Sequence, residues 1–321
     1  MTQKFHASVR KAQRYKVKAS IMIDGLTGQG KTGLALTLAH ALVGKNWAKV
    51  GMVDTENKSA DLMVGQRMHT GEKCGEFLKV DLTIDDGFAP LNYVAAADAL
   101  VENGAECVIF DSSTHAWNRQ GGVLDMINNV EDSRNKFAAW KDPVVVKNKD
   151  ALFELIRSSK YHVITTVRVK EKFALNADEV TGRNKVESLG EQQIQTEGLK
   201  YEPDLVLSME HAGTPDSAPR ARVTKSRYPI LITGEVYEFT PELIEQIRLF
   251  LEEGADPDIL IEQQRQEYEN AVKEYCEQNP NQKNVWKLIK DSYGYAEKKI
   301  SDIPLSDLKG MYVQLTSEGG K

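Results

Sequence analysis

The segment GLTGQGKT, residues 25–32, carries the strongest chemical signal in the chain. It fits GxxxxGK[ST], in which a glycine-rich loop turns successive backbone N–H groups toward one centre and cradles phosphates. Gly25, Leu26, Thr27, Gly28, Gln29, Gly30, Lys31, Thr32 and Gly33 are the expected nucleotide-binding residues. Lys31 is expected at the β- and γ-phosphates, and the Thr32 hydroxyl on Mg²⁺. The motif has meaning only between a strand and a helix. VKASIMID, 17–24, reads as a strand with a buried centre, and GLALTLAHAL, 33–42, as an apolar helix of good formers. The helix N-terminus adds its dipole to the anion site.

Two carboxylates end later apolar runs. VGMVDTE, 50–56, predicts a strand that delivers Asp54 and Glu56 to the ligand crevice of a doubly wound sheet. Glu56 in that position either activates water or, with Asn57 or Ser59, caps the helix that follows. A helix over 85–104 leads to CVIFDSS, 107–113, which reads as a Walker B strand. Its Asp111 is expected in the Mg²⁺ shell, through water, opposite Thr32. A fourth strand, YHVITTVRVK at 161–170, turns polar at Thr165 and Thr166. A polar group there senses the γ-phosphate or positions the attacking water. The competing explanation is the strand propensity of threonine. Further strands are expected at 204–210, 221–226 and 230–239, and the polar stretch 170–195 reads as a mobile loop.

Composition narrows the class. The 321 residues include 41 Lys+Arg and 47 Asp+Glu, a net charge of −6, which excludes a strongly basic nucleic-acid coat. Three scattered cysteines, Cys74, Cys107 and Cys276, suit reduced thiols in the cytoplasm rather than a disulfide framework. No apolar run approaches the ~18 residues of a membrane span, and the N-terminus lacks the apolar stretch of a secretory signal. The first 18 residues hold Lys4, Arg10, Lys11, Arg14, Lys16 and Lys18 and no acid. They form either a solvated arm or a polyanion contact. A small GTPase needs a DxxG after the second strand, where Asp54-Thr55-Glu56-Asn57 stands instead, and an NKxD, which the chain lacks. Leu26 stands where a partition-type ATPase has a second lysine, and no arginine-rich kinase lid is present.

Together the loop at 25–32, the DTE at 54–56, the FDS at 110–112, the TTVRVK at 165–170 and the TKSR at 224–227 resemble the RecA-type ATPase core. The likeness is to the phage-encoded, RecA-like nucleotide-binding proteins of the AAA-24 type, which include single-strand-annealing recombinases. It covers roughly residues 4–240. The resemblance implies that Glu56 polarises the attacking water and that Thr166 is the polar switch between γ-phosphate and a DNA loop. It also implies that Lys225 and Arg227 reach the γ-phosphate of a neighbouring subunit. Alternation places Lys225 and Arg227 on one face of their strand, where they serve either that role or as a basic edge that discourages strand pairing. Trp117, Arg119, Arg134, Lys136 and Trp140 after the Walker B strand, and Lys170, Lys172, Arg183 and Lys185 after the fourth, suit single-stranded DNA. Glu131, Asp132, Asp178 and Glu179 are interspersed among them.

The expected fold is α/β: a RecA-like P-loop NTPase core with a mostly parallel twisted sheet flanked by helices, over residues 1–240 with a basic arm at 1–16. A helical C-terminal appendage follows at 241–321, with helices at 241–254, 258–277, 284–295 and 304–315. The last two either pack on the chain itself or dock a phage replication or recombination partner. The expected function is ATP hydrolysis with Mg²⁺ in a homo-oligomer acting on single-stranded DNA, with ATP at a subunit interface. The alternative is a nucleotide-gated adaptor or loader with slow, DNA-independent hydrolysis. ATP over GTP rests on the missing guanine motif and the resemblance.

Overall fold

The computed structural model describes residues 12–130, 136–158, 160–177 and 184–318. Its strands are β1 (Ser20–Gly25), β2 (Val50–Asp54), β3 (Leu78–Asp81), β4 (Cys107–Asp111), β5 (His162–Ala177), β6 (Asn184–Gln193), β7 (Leu205–His211), β8 (Arg220–Ser226) and β9 (Val236–Glu238). The helices between them are α1 (Lys31–Leu42), α2 (Pro90–Glu102), α3 (Thr114–Asn118), α4 (Val123–Asn129), α5 (Lys136–Ala139) and α6 (Pro143–Ile156). After β9 come α7 (Pro241–Glu252), α8 (Pro257–Gln278), α9 (Gln282–Ser292) and α10 (Leu305–Glu318).

The strands form one mixed sheet in the order β3-β2-β4-β5-β1-β7-β8-β9, with β6 paired to β5 outside that path. From β3 to β7 every pairing is parallel, and β8, β9 and β6 add antiparallel ladders. The fold is therefore α/β, a mostly parallel mixed sheet flanked by helices. β1 lies between β5 and β7, so both its edges are paired, and with side-chain clusters on both faces all of it is buried. Ile21 and Ile23 face α1 and α7, while Met22 faces the side of α2 and α6. The same alternation sends Cys107 and Ile109 one way and Val108 and Phe110 the other.

The helix starts are local in origin. Asp142 accepts from the N–H groups of Val144 and Val145 at 2.8 and 3.3 Å, and Pro143 occupies the first turn of α6. The helix expected from residue 85 begins instead at Pro90. Asp86 is used in a turn, accepting from the Thr83 N–H at 2.8 Å and hydroxyl at 2.7 Å.

Three expectations about the strands change. β3 was not foreseen, because its four residues LKVD carry only two apolar side chains. The strand expected at 230–239 shrinks to β9, since Leu231 turns back into the core and Gly234 bends the chain at φ 98°. The stretch from 170 onward, expected as a loop, continues as β5 and β6, whose backbones pair from Val169↔Gln193 to Ala177↔Asn184. A two-stranded ladder needs only its own backbone partners, so polar composition does not forbid it.

The chain divides into two compact units, Val17–Leu251 and a second made of Glu252–Lys321 with the described part of Met1–Lys16. The first runs past residue 240 because Ile244, Ile247 and Leu251 of α7 are buried in the cluster that holds α1. In the second unit, Arg14 pairs with Glu253 at 3.7 Å and Lys16 with Asp256 at 3.4 Å. Two charges of the basic arm are thus neutralised by acids of the tail, while Lys4, Arg10 and Lys11 lie outside the described residues. The helices α8, α9 and α10 enclose a core of their own, including Cys276, Ile289, Leu308 and Met311. Among the described residues no helix is long and apolar enough to cross a membrane.

Candidate functional site

The C-terminal ends of the parallel strands gather the chemistry-bearing residues at one edge of the sheet. The loop 25–32 leaves β1 there, Glu56 follows β2, Asp111 ends β4, and Thr166 and Arg168 lie on β5 beside Ile23 and Gly25 of β1. Asp54 and Asp111 are register partners.

Gly30 has φ 82°, and a Cβ on it would sit 2.8 Å from the Ala212 Cα, so only glycine fits. α1 starts with no side-chain cap and no acid in its first turn, which leaves its N–H groups to a ligand or water. The Leu26 N–H donates to the Gln29 Oε1 at 2.5 Å, closing the loop on itself. The Lys31 Nζ donates to the carbonyls of Gly25 at 3.0 Å and Leu26 at 2.8 Å. Burial pushes this ammonium below its usual range, while Asp111 and Glu56 pull it back up.

Asp111 is 3% exposed and receives a hydroxyl on each oxygen. Thr32 donates to its Oδ2 at 2.6 Å and Thr166 to its Oδ1 at 2.5 Å. Burial pushes the carboxyl up, and the two hydroxyls act against that. Thr166 is fully buried, so its side chain anchors Asp111.

Glu56 points to the same edge because Asp54 accepts from its N–H at 2.7 Å. Asp54 is in turn held by Lys79, 3.7 Å away, from the unforeseen strand β3. Arg168 grips the Glu56 carboxylate with a fork: its Nε donates to Oε1 at 2.9 Å and its Nη2 donates to Oε2. The Ser112 hydroxyl donates to Oε1 at 3.0 Å, and the His115 Nε2 stands 3.9 Å from it. Burial raises the carboxyl, but Arg168, His115 and Ser112 outweigh it and hold Glu56 below the usual range. Burial also keeps His115 below its usual range. The short helical turn Ser59–Met63 after Glu56 has no side-chain cap, so Glu56 is not spent on capping.

The structure thus brings together the loop 25–32, Glu56, Asp111 and Thr166, and keeps Lys225 and Arg227 apart from them. Arg227 donates its N–H to the Asp204 carbonyl, and Asp204 does the same to Ser20, the first residue of β1, so both cations lie toward the opposite edge of the sheet. Lys225 is bonded to the carbonyls of Tyr201 and Pro203, and Arg227 to the Asp204 carboxylate at 2.8 Å. Among the basic and aromatic candidates, the Trp117 and Trp140 rings lie 6.1 Å apart, with the Lys149 Nζ 6.0 Å from the Trp140 ring. Arg134 and Arg183, with Glu131, Asp132, Asp178 and Glu179, lie outside the described residues, as do the side chains of Lys136, Lys172 and Lys185.

Sequence reasoning assigned no role to Arg168, Ser112 or His115. For Arg168 the signal was present: two residues beyond Thr166 on a strand, it shares that residue's face. No family model matches the chain, and no curated protein matches it.

Proposed function

We propose that this chain binds and hydrolyses ATP with Mg²⁺ through a RecA-like P-loop core and acts on single-stranded DNA in phage recombination or replication. The observation that carries the reading is the Thr32–Asp111 contact of 2.6 Å at the mouth of the loop 25–32, with Glu56 on the same edge. Two oxygen donors facing each other, one a carboxylate, suit a hard divalent cation. Mg²⁺, when bound, neutralises charge on the β- and γ-phosphates.

Lys31 exchanges the two carbonyls it now holds for phosphate oxygens. Glu56 accepts a proton from the water that attacks the γ-phosphorus as the bond to the β-phosphate oxygen breaks, giving ADP and inorganic phosphate. Thr166 ties Asp111 to β5. Gln193 at the foot of β6 donates to Asp24, the residue before the loop, so the β5–β6 ladder is linked to the phosphate site at two points. In the RecA-like reading Lys225 and Arg227 serve a neighbouring copy, giving up their carbonyl and carboxylate partners at the subunit contact. DNA as partner is supported by the resemblance and by the tryptophan pair with its lysine.

The resting grip of Arg168 on Glu56 favours a second reading, a slow nucleotide-gated adaptor or loader. The steady-state ATPase rate with and without single-stranded DNA, at low and moderate salt, separates the two. Stimulation of several-fold that fades with salt supports the DNA reading. A rate indifferent to DNA supports the adaptor, and no turnover in any condition defeats the hydrolase reading.

A further inference from the structure

We propose that Arg168 is a ligand of the terminal phosphate of the bound nucleotide, and that Glu56 is the partner it holds until that phosphate arrives. The inference rests on the reading of the site as one that hydrolyses ATP.

Its basis is placement. Arg168 pairs in register with Gly25, the residue that opens the phosphate loop. Its backbone N–H donates to the Thr114 hydroxyl at 2.9 Å, which fixes the strand at that point. The Lys31 Nζ donates to the carbonyl of that same Gly25 at 3.0 Å, so the ammonium and the guanidinium meet at one end of β1 and β5. The side chain is 31% exposed and that of Glu56 19%, so the pair is open to a ligand.

Its chemistry follows from the fork. A guanidinium offers parallel N–H donors that match a carboxylate or a phosphate equally well. While it holds Glu56, both carboxylate oxygens accept hydrogen bonds and the group is a poor base. A terminal phosphate bound at Lys31 brings a more highly charged anion to the same fork. Transfer of Arg168 to that phosphate leaves Ser112 and His115 beside Oε1 and uncovers Oε2, which is then free to take a proton from water. ADP lacks the competing phosphate and leaves the pair closed. Arg168 therefore tells ATP from ADP and releases the base only when there is something to hydrolyse.

The test is binding of ADP and of ATPγS, each with Mg²⁺, to the full chain and to Arg168→Ala, Arg168→Lys and Glu56→Gln. The unaltered chain is expected to bind ATPγS about tenfold tighter than ADP. Arg168→Ala keeps ADP affinity within about twofold and loses the preference, while Arg168→Lys retains part of it. Glu56→Gln, which weakens the competitor for the fork, binds ATPγS several-fold tighter than the unaltered chain, with ADP unchanged. If Arg168→Ala discriminates as well as the unaltered chain, or Glu56→Gln leaves ATPγS affinity unmoved, Arg168 only positions Glu56 and the proposal falls while the ATP site stands. If the unaltered chain binds neither nucleotide, both readings fall.

Discussion

The Thr32 hydroxyl donates to the Asp111 carboxylate at 2.6 Å across 79 residues of sequence. The first turn of α1 and the end of β4 are brought together only by the parallel sheet, in which β5 separates β4 from β1. With Thr166 on its other oxygen, Asp111 is fixed in place at the mouth of the loop 25–32.

That contact predicts a metal phenotype. Thr32→Ala removes one of the two oxygen donors of the proposed Mg²⁺ site, and Asp111→Asn takes the negative charge from the other. Hydrolysis at millimolar Mg²⁺ is expected to fall about 100-fold or more. Nucleotide binding in EDTA changes little by comparison. A Mg²⁺ titration of the ATPase rate is the check, and curves that superimpose with the parent's would remove the metal from this site.

His162 predicts an acid sensitivity unrelated to catalysis. It starts β5, its Nδ1 accepts the Ala19 N–H at 2.9 Å, and burial pushes its pKa down to about 3 from 6.5. Between those values the unfolded chain binds the extra proton, so stability rises with pH there and is lost as pH falls. From pH 7 to pH 5 the loss is about 2 kcal/mol. His162→Asn keeps an acceptor for Ala19 and does not titrate, so its loss should be smaller by that amount. The comparison must be between the two proteins, because burial raises Asp24, Asp54 and Asp111 and those carboxyls act in the opposite sense. Parallel pH dependences of urea midpoints would show that His162 is not the source.

Much of this site was legible early. The loop 25–32 and the two carboxylates are marked by local pattern: glycines at fixed offsets and apolar strands that end in acid. Arg168 carries a readable mark in the face it shares with Thr166, but its partner Glu56 follows a different strand, β2, and ion pairing across a sheet leaves no periodic trace. Lys79 was hidden for the same reason, since β3 is too short to announce itself. The β5–β6 ladder was misread because paired strands satisfy their backbone groups without apolar side chains. The limits of the two units depend on α7, whose amphipathic face is readable but whose destination is not.

α7 gives a further prediction. Ile244, Ile247 and Leu251 are at most 4% exposed. A chain ending after Thr240 forfeits their burial, roughly 5 kcal/mol, and is expected to aggregate or melt far below the full protein. A chain ending after Glu253 keeps them and should unfold cooperatively. Equal melting of the two truncations would place the limit of the unit elsewhere.

The measurement closest to the central claim compares phosphate release from ATP by the unaltered chain and by Glu56→Gln, with nucleotide binding followed in both. The account predicts turnover by the first and a loss of about 100-fold or more in the second, with ATP still bound. Turnover by Glu56→Gln at the parent rate would contradict it.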